Sequence, residues 1–234
     1  MEKIIEVEGL SFFYPETERG IRDITFDVYE GDVIGIMGPN GSGKTTLLFS
    51  MCGLLKARGK VIIDGIPLST RNFNGIREKI GFVFQDPDDQ LFMPVVFQDV
   101  GFTLFQKGFP EDFVLKRVRE VLGMVGLQGF EERETHKLSY GEKKKVCIAS
   151  AIIHEPKILI FDEPTAWLDP KGRRELLEII KGIKKTTIIA GHDLEFIEKI
   201  STKIMVLESG RMIAFSHKEK ILTDSSLLKR IGFE

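Results

Sequence analysis

The chain has 234 residues, of which 42% are hydrophobic and 29% charged, and its formal net charge is −2. These values predict one large soluble domain with a sizeable core, and they give no overall positive field for a nucleic-acid partner. No apolar run approaches the length of a membrane span, so we expect any link to a membrane to go through a partner.

Residues 1–85 are rich in strands separated by glycines and polar turns. Alternating apolar residues predict the strands 4–7, 24–29, 33–37, 60–64 and 80–84. An apolar helix is predicted over 45–55, directly after a glycine-rich loop.

That loop is the most informative stretch of the chain. It reads GPNGSGKTT and fits the phosphate-binding pattern G-x-x-x-x-G-K-[ST] at every fixed position, between a strand and a helix. Backbone amides and the helix N-terminus would surround phosphate oxygens, with Lys44 on the β- and γ-phosphates and the Thr45 hydroxyl on Mg²⁺. The predicted nucleotide-binding residues here are Gly38, Pro39, Asn40, Gly41, Ser42, Gly43, Lys44, Thr45 and Thr46.

Residues 86–156 change from strand to helix periodicity. After a proline-bearing loop over 86–94, apolar residues recur at helical spacing between 113 and 125, and a second helix is predicted over 140–154. Cys52 and Cys147 fall in apolar helical contexts and match no metal spacing, so we expect two buried free thiols. Lys143, Lys144 and Lys145 are interpreted as a solvated helix face with one lysine near phosphate.

Residues 157–234 return to alternating strands and helices. Strands are predicted over 158–161 and 187–190, helices over 173–183 and 194–200, and a hairpin from 204–207 and 212–215. The alternation predicts an α/β fold with a mostly parallel sheet. We therefore expect a nucleotide-binding core from 1–85 and 157–234, with 86–156 as a helical insertion.

Two acids end the apolar strand 158–161. In a parallel sheet, carboxyl ends of strands lie at the ligand-binding edge. Asp162 is therefore predicted to hold Mg²⁺, and Glu163 to orient or deprotonate the attacking water.

The sequence LSYGE at 138–142, between these two nucleotide motifs and directly before a helix, resembles the LSGGQ signature of ATP-binding cassette (ABC) ATPases. The resemblance covers essentially the whole chain and implies a P-loop core, an N-terminal antiparallel β subdomain and an inserted α-helical subdomain. It also implies that Ser139, Gly141 and Glu142 face the γ-phosphate held by a second ABC ATPase subunit, in a homodimer or heterodimer. Tyr140 and Glu142 depart from the usual glycine and glutamine, so the Tyr140 side chain must point away from the phosphates.

The resemblance assigns four further positions. Gln85 matches the glutamine-loop residue that approaches Mg²⁺ and the attacking water, and His192 matches the switch histidine. Tyr14, thirty residues before Lys44, matches the ring that stacks on adenine, although Phe12 or Phe13 could serve instead. Asp169 matches the residue that joins the two catalytic sites.

Trp167, in the same loop as Asp169, is the only tryptophan. It is expected either to pack at the dimer interface or to be a locally buried ring.

The sequence DPDDQLF at 86–92 resembles the branch that energises cobalt and nickel importers and the energy-coupling factor vitamin importers. In that branch this region receives helices of an integral membrane scaffold protein, which implies a peripheral location at the cytoplasmic face of the membrane. The apolar residues 91–93 are expected to form a docking surface or, alternatively, a buried turn.

The implied function is ATP hydrolysis, with ATP and Mg²⁺, coupled to transport through dimer closure. Two alternatives are a soluble ABC ATPase of DNA repair or translation, and a nucleotide-binding regulatory module without turnover. The solute is left open.

Overall fold

The computed structural model describes residues 2–17 and 19–232. The strands in chain order are β1 (Lys3–Phe13), β2 (Gly20–Tyr29), β3 (Val33–Met37), β4 (Arg58–Ile63), β5 (Ile66–Pro67), β6 (Ile80–Val83), β7 (Ile158–Asp162), β8 (Thr186–Ala190), β9 (Lys203–Glu208) and β10 (Arg211–His217). The helices are α1 (Lys44–Met51), α2 (Phe73–Arg77), α3 (Val96–Gln106), α4 (Glu111–Met124), α5 (Tyr140–Ile152), α6 (Pro170–Ile183), α7 (Leu194–Ile200), α8 (Lys218–Leu222) and α9 (Ser225–Arg230).

One compact unit consists of the described residues within 1–79 and 185–234. It contains an antiparallel sheet of order β2-β1-β4-β5, and β3 pairs in parallel with both β8 and β9. β3 reads VIGIM and is almost wholly buried, as expected for a parallel strand covered on both faces. β10 returns antiparallel to β9, which confirms the predicted hairpin.

The second compact unit consists of residues 80–184. β6 and β7 pair in parallel, and every residue of β7 is buried. α3, α4 and α5 pack on one another, and α5 also packs on β6. This unit thus combines two parallel strands with the helices that carry the signature sequence.

The predicted α/β class is confirmed, and most elements differ from the prediction only at their ends. α7 has the predicted bounds, and β3 begins and ends as expected. β1 is much longer than the predicted 4–7, because it pairs with both β2 and β4 through registers interrupted by bulges. The sequence reading proposed no helix over 96–106, where α3 lies.

Within the described ranges, no helix is long and apolar enough to cross a membrane. The proposed division into a core and an insertion at 86–156 stays a prediction.

Candidate functional site

The phosphate loop connects β3 to α1 in the first unit. A β-carbon on Gly38 would lie 2.2 Å from the carbonyl oxygen of Leu207, so only glycine allows this close approach to β9. Gly43 has a φ of 104° and precedes the first helical residue, Lys44. No side chain caps α1 among the described contacts, so its first-turn amides face the loop as anion donors.

Lys44 is buried within this loop. Its Nζ donates hydrogen bonds to the carbonyl oxygens of Gly38 at 3.0 Å and Pro39 at 3.4 Å. The backbone amide of Gly210 donates to the carbonyl of Ser42 at 3.0 Å, which anchors the loop to the β9–β10 turn. The loop is therefore held around the lysine by its own backbone.

The chemistry of the loop fits a nucleotide polyphosphate. The Ser42 hydroxyl is buried and has no hydrogen-bond partner within residues 2–17 and 19–232, and a phosphate oxygen would satisfy it. In the same described ranges, no three His, Cys, Asp or Glu side chains form a metal cluster. Mg²⁺ that arrives with a nucleotide needs only one or two protein oxygens besides phosphate and water, and the Thr45 hydroxyl is an oxygen of that type.

The acid pair lies at the end of β7 in the second unit. Asp162 is its last residue, and both Asp162 and Glu163 are buried. Glu163 has a φ of 43°, in the left-handed region that non-glycine residues rarely occupy. This conformation is enriched at functional sites but also occurs in turns, as at Asp64 and Ser209, so the role of the Glu163 carboxylate stays a prediction.

Gln85 follows β6 and is exposed, and its backbone carbonyl is held by α5 from two sides. Lys144 Nζ donates to the carbonyl oxygens of Gln85 at 2.6 Å and Phe84 at 3.1 Å. The Tyr140 hydroxyl donates to the same Gln85 oxygen at 3.0 Å. The Tyr140 hydroxyl is therefore bound to the backbone of Gln85.

The interpretation of the lysine run as a solvated face is wrong. Lys144 is only 1% exposed, and burial lowers its pKa to about 8. Lys143 pairs with Asp88 at 2.6 Å and Lys145 with Glu175 at 2.5 Å. The three lysines therefore link α5 to three different segments of the unit.

The signature helix α5 begins with a capping box. Ser139 Oγ accepts from the Glu142 amide at 3.4 Å, and Glu142 Oε2 accepts from the Ser139 amide at 2.8 Å. The Ser139 hydroxyl also donates to Glu142 Oε2 at 2.8 Å. These bonds lower the pKa of Glu142, so the carboxylate is ionised at neutral pH.

A cleft of about 460 Å³ lies between the starts of α5 and α6, and we call it the signature cleft. Four predicted residues line it, namely Ser139, Gly141, Glu142 and Asp169. Asp169 caps α6 by accepting from the Gly172 amide at 2.6 Å. Two helix N-termini border this cleft, and the carboxylates of Glu142 and Asp169 cap them and line it.

Trp167 also lines the signature cleft and is 65% exposed, and its ring packs nearly perpendicular to that of Tyr140 with ring centres 5.4 Å apart. The alternative of a locally buried ring is therefore wrong. Its φ of 57° is again left-handed.

Leu91, Phe92 and Met93 form a surface that we call the docking patch. Phe92 is 63% exposed, so the alternative of a buried turn is wrong for this ring. Asp99 Oδ2 accepts from the amides of Phe92 and Met93 at 2.9 Å each, which fixes the turn below the patch.

The remaining predicted residues lie in the first unit. His192 is exposed between β8 and α7, and Asp193 caps that helix by accepting from the Phe196 amide at 3.0 Å. Tyr14 and Phe13 are both exposed, and Tyr14 packs edge-on against Phe12 with ring centres 4.9 Å apart. The choice among the three rings stays a prediction.

A phosphate loop between a buried strand and a helix, within an α/β fold, defines a nucleotide-binding protein of the P-loop class. The ABC transporter family matches residues 21–166. The energy-coupling factor transporter ATP-binding protein EcfA of Methanothermobacter thermautotrophicus is 42% identical over 233 residues, which are 97% of this chain and 75% of that protein. The chain belongs to the ABC transporter family and is an ABC ATPase.

Two solved structures are similar over almost the whole chain. The first is cbiO1 from Clostridium perfringens, part of the ABC transporter complex cbiONQ, with a TM-score of 0.86 and 36% identity over 99% of this chain and 95% of that chain. The second is the ATP-binding cassette MJ0796, a dimeric post-hydrolysis state bound to ADP and Pi, with a TM-score of 0.82 and 28% identity over 92% of this chain and 98% of that one. The resemblance to the cobalt and energy-coupling factor branch is thereby confirmed, and a soluble repair or translation ATPase is not favoured.

Proposed function

We propose that this chain is the ATP-hydrolysing subunit of a membrane importer of the energy-coupling factor type, which carries cobalt, nickel or a vitamin. The observation that carries the proposal is the docking patch. The exposed Phe92, in a turn held by Asp99, lies seven residues after Gln85, the residue expected to sense nucleotide. An apolar surface of this kind suits helices of an integral membrane protein.

In this proposal ATP binds through the phosphate loop, with Lys44 on the β- and γ-phosphates and one of Tyr14, Phe12 and Phe13 against adenine. Thr45, Gln85 and Asp162 would hold Mg²⁺, which neutralises phosphate charge when bound. Ser139, Gly141 and Glu142 of one subunit, with Asp169, act on the nucleotide of a second subunit. ATP thereby closes two subunits over two nucleotides.

Hydrolysis follows in the closed dimer. A water oxygen attacks the γ-phosphorus, the bond to the ADP oxygen breaks, and Glu163 takes the proton from the water. His192 contacts the γ-phosphate. Release of phosphate reopens the pair, and the motion reaches the membrane partner through the docking patch.

The test is purification of the tagged chain from its native membranes in a gentle detergent, followed by mass spectrometry. The proposal expects a stoichiometric integral membrane protein, and a co-purifying solute-binding component would narrow the solute. A purely soluble complex, or no partner despite intact ATPase activity, would overturn the importer assignment.

A further inference from the structure

The Gln85 carbonyl oxygen is the point at which α5 meets the segment after β6. It accepts from Lys144 Nζ at 2.6 Å and from the Tyr140 hydroxyl at 3.0 Å. The two donors are four residues apart, so they lie one above the other on one face of α5. A single oxygen is therefore held from two successive turns of the signature helix.

The burial of Lys144 shows that this contact is costly to maintain. A side chain with 1% exposure loses the hydration of its ammonium group, and an apolar residue of similar length would fill the same space without that cost. The ammonium is compensated by the carbonyls of Phe84 and Gln85 and by the Tyr140 ring, whose centre is 5.7 Å away. Packing alone does not require a charge here.

Tyr140 is in turn fixed by the loop that precedes α6. Its ring packs nearly perpendicular to that of Trp167, with ring centres 5.4 Å apart, and Trp167 stands two residues before Asp169. Contacts therefore run continuously from Trp167 through Tyr140 to the Gln85 peptide, within one compact unit.

We infer that Tyr140 and Lys144 are a positioning pair, which locks the Gln85 peptide to the signature helix so that both respond together to bound nucleotide. The inference rests on the proposed role of Gln85 at the nucleotide. Neither residue is placed in contact with the reacting atoms. They fix the position of the Gln85 backbone, and thereby the point from which the Gln85 side chain extends.

The test uses the full chain and measures kcat and KM for ATP with Mg²⁺. Lys144→Met removes the charge and keeps the length, and it should lower kcat about tenfold while KM changes less than about twofold. Tyr140→Phe removes one oxygen and should lower kcat about threefold. Lys143→Met is the matched control, because Lys143 pairs with Asp88 and not with Gln85, and it should keep kcat.

A second readout reports whether the Gln85 peptide and the signature helix respond together to nucleotide. Trp167 is the only tryptophan, and its contact with Tyr140 makes its fluorescence sensitive to the pair. The inference expects a change in Trp167 emission when ATP and Mg²⁺ bind to the wild type, and a clearly smaller change in both variants. Because both donors hold one oxygen, the kcat loss of the double variant should differ from the product of the single losses.

Wild-type kcat and an undiminished emission change in both variants would overturn the inference, as would losses confined to KM. If Lys144→Met does not fold, Tyr140→Phe alone tests the inference, because it removes only the hydroxyl oxygen that donates to Gln85. Gln85→Ala separates the two ideas. Normal turnover in Gln85→Ala refutes the proposed role of Gln85. Slow turnover in Gln85→Ala together with normal turnover in the Tyr140 and Lys144 variants refutes only the positioning pair.

Discussion

The carboxylate of Glu142 holds the hydroxyl and the amide of Ser139, each at 2.8 Å. The hydroxyl that is proposed to face the γ-phosphate of a second subunit is thus already donated within its own helix. The partner that holds it is an anion, since the bonds from Ser139 lower the pKa of Glu142. In the proposed function, a nucleotide would therefore compete with an internal carboxylate for this donor.

Replacing Glu142 with glutamine should strengthen ATP-driven pairing of two subunits. An amide oxygen can still cap the helix, but it holds the hydroxyl less strongly and does not repel phosphate. We expect the dimer dissociation constant with ATP to fall about three- to tenfold, measured by sedimentation velocity in the Glu163→Gln background. Glu134→Gln, which removes an ion pair with Lys137 outside the signature cleft, is the control. Unchanged or weaker pairing in Glu142→Gln would refute the competition.

Glu163→Gln should nearly abolish hydrolysis and preserve ATP binding. The amide has the same shape and keeps the strained backbone, but it cannot accept the proton of the attacking water, so kcat should fall about a hundredfold or more. Turnover is measured by phosphate release and binding by a fluorescent ATP analogue. Glu132→Gln, on the exposed surface, serves as control. Near-normal turnover would remove Glu163 from the role of base.

The parts of the fold that could be predicted are those in which local pattern and packing agree. β3 and the phosphate loop follow from an apolar run that ends in glycines, and α7 follows from helical spacing. α3 could not be predicted in this way, because Gly101 lowers helix propensity at its centre. A β-carbon at Gly101 would lie 2.7 Å from Val114, so the glycine serves the packing of α3 on α4.

Sequence reasoning also did not find the positioning pair, Tyr140 and Lys144. Three consecutive lysines favour a solvated face, yet Lys144 stands three and four residues before the buried Cys147 and Ile148. That spacing was the available signal for its burial. Tyr140 was expected only to point away from phosphate, and no sequence pattern could show that its hydroxyl reaches Gln85, because that contact is tertiary.

Asp99 should make the stability of the second unit depend on pH. Burial raises its pKa, opposed by the amides of Met93 and Phe92 and by Ser150. A carboxyl whose pKa is higher in the folded state stabilises the fold most below its unfolded pKa of about 3.9, and the contribution is lost as pH rises through the folded pKa. We therefore expect the unfolding free energy of the wild type, minus that of Asp99→Asn, to decrease with rising pH.

Urea unfolding of both proteins from about pH 4 to about pH 8 measures this difference, since titrations shared by the two cancel. A difference that stays constant or grows with pH would contradict the expected titration of Asp99.

Both cysteines should be unreactive in the folded protein. Burial raises the pKa of Cys52 to about 12 and raises that of Cys147 further above its usual range, so neither forms an accessible thiolate near neutral pH. A colourimetric disulfide reagent should find no fast thiol in the native chain and two after denaturation. Ser225→Cys, at an exposed position, should add one fast thiol as the positive control. A stoichiometric fast thiol in the wild type would show that the segment around one of these cysteines opens readily.

The docking patch offers a sharp test of the membrane partner, because its central ring contributes little to the fold. Phe92 contacts Phe102 edge-on at 4.9 Å but is otherwise mostly exposed. Loss of this ring should therefore change the thermal midpoint by no more than a few degrees, which corresponds to roughly 1 kcal/mol.

Phe92→Ser should instead act on binding. An aromatic anchor at the centre of an interface contributes about 2 kcal/mol or more, so recovery of the membrane protein with the tagged chain should fall at least about tenfold. Phe109→Ser is the matched control, because Phe109 is 41% exposed and stacks on Phe113 rather than belonging to residues 91–93, and this variant should retain the partner. Equal recovery with Phe92→Ser and wild type would show that the membrane partner binds elsewhere. Equal loss of the membrane protein in both variants would show that exposed phenylalanines bind it nonspecifically. A specific site at residues 91–93 requires that the two variants differ.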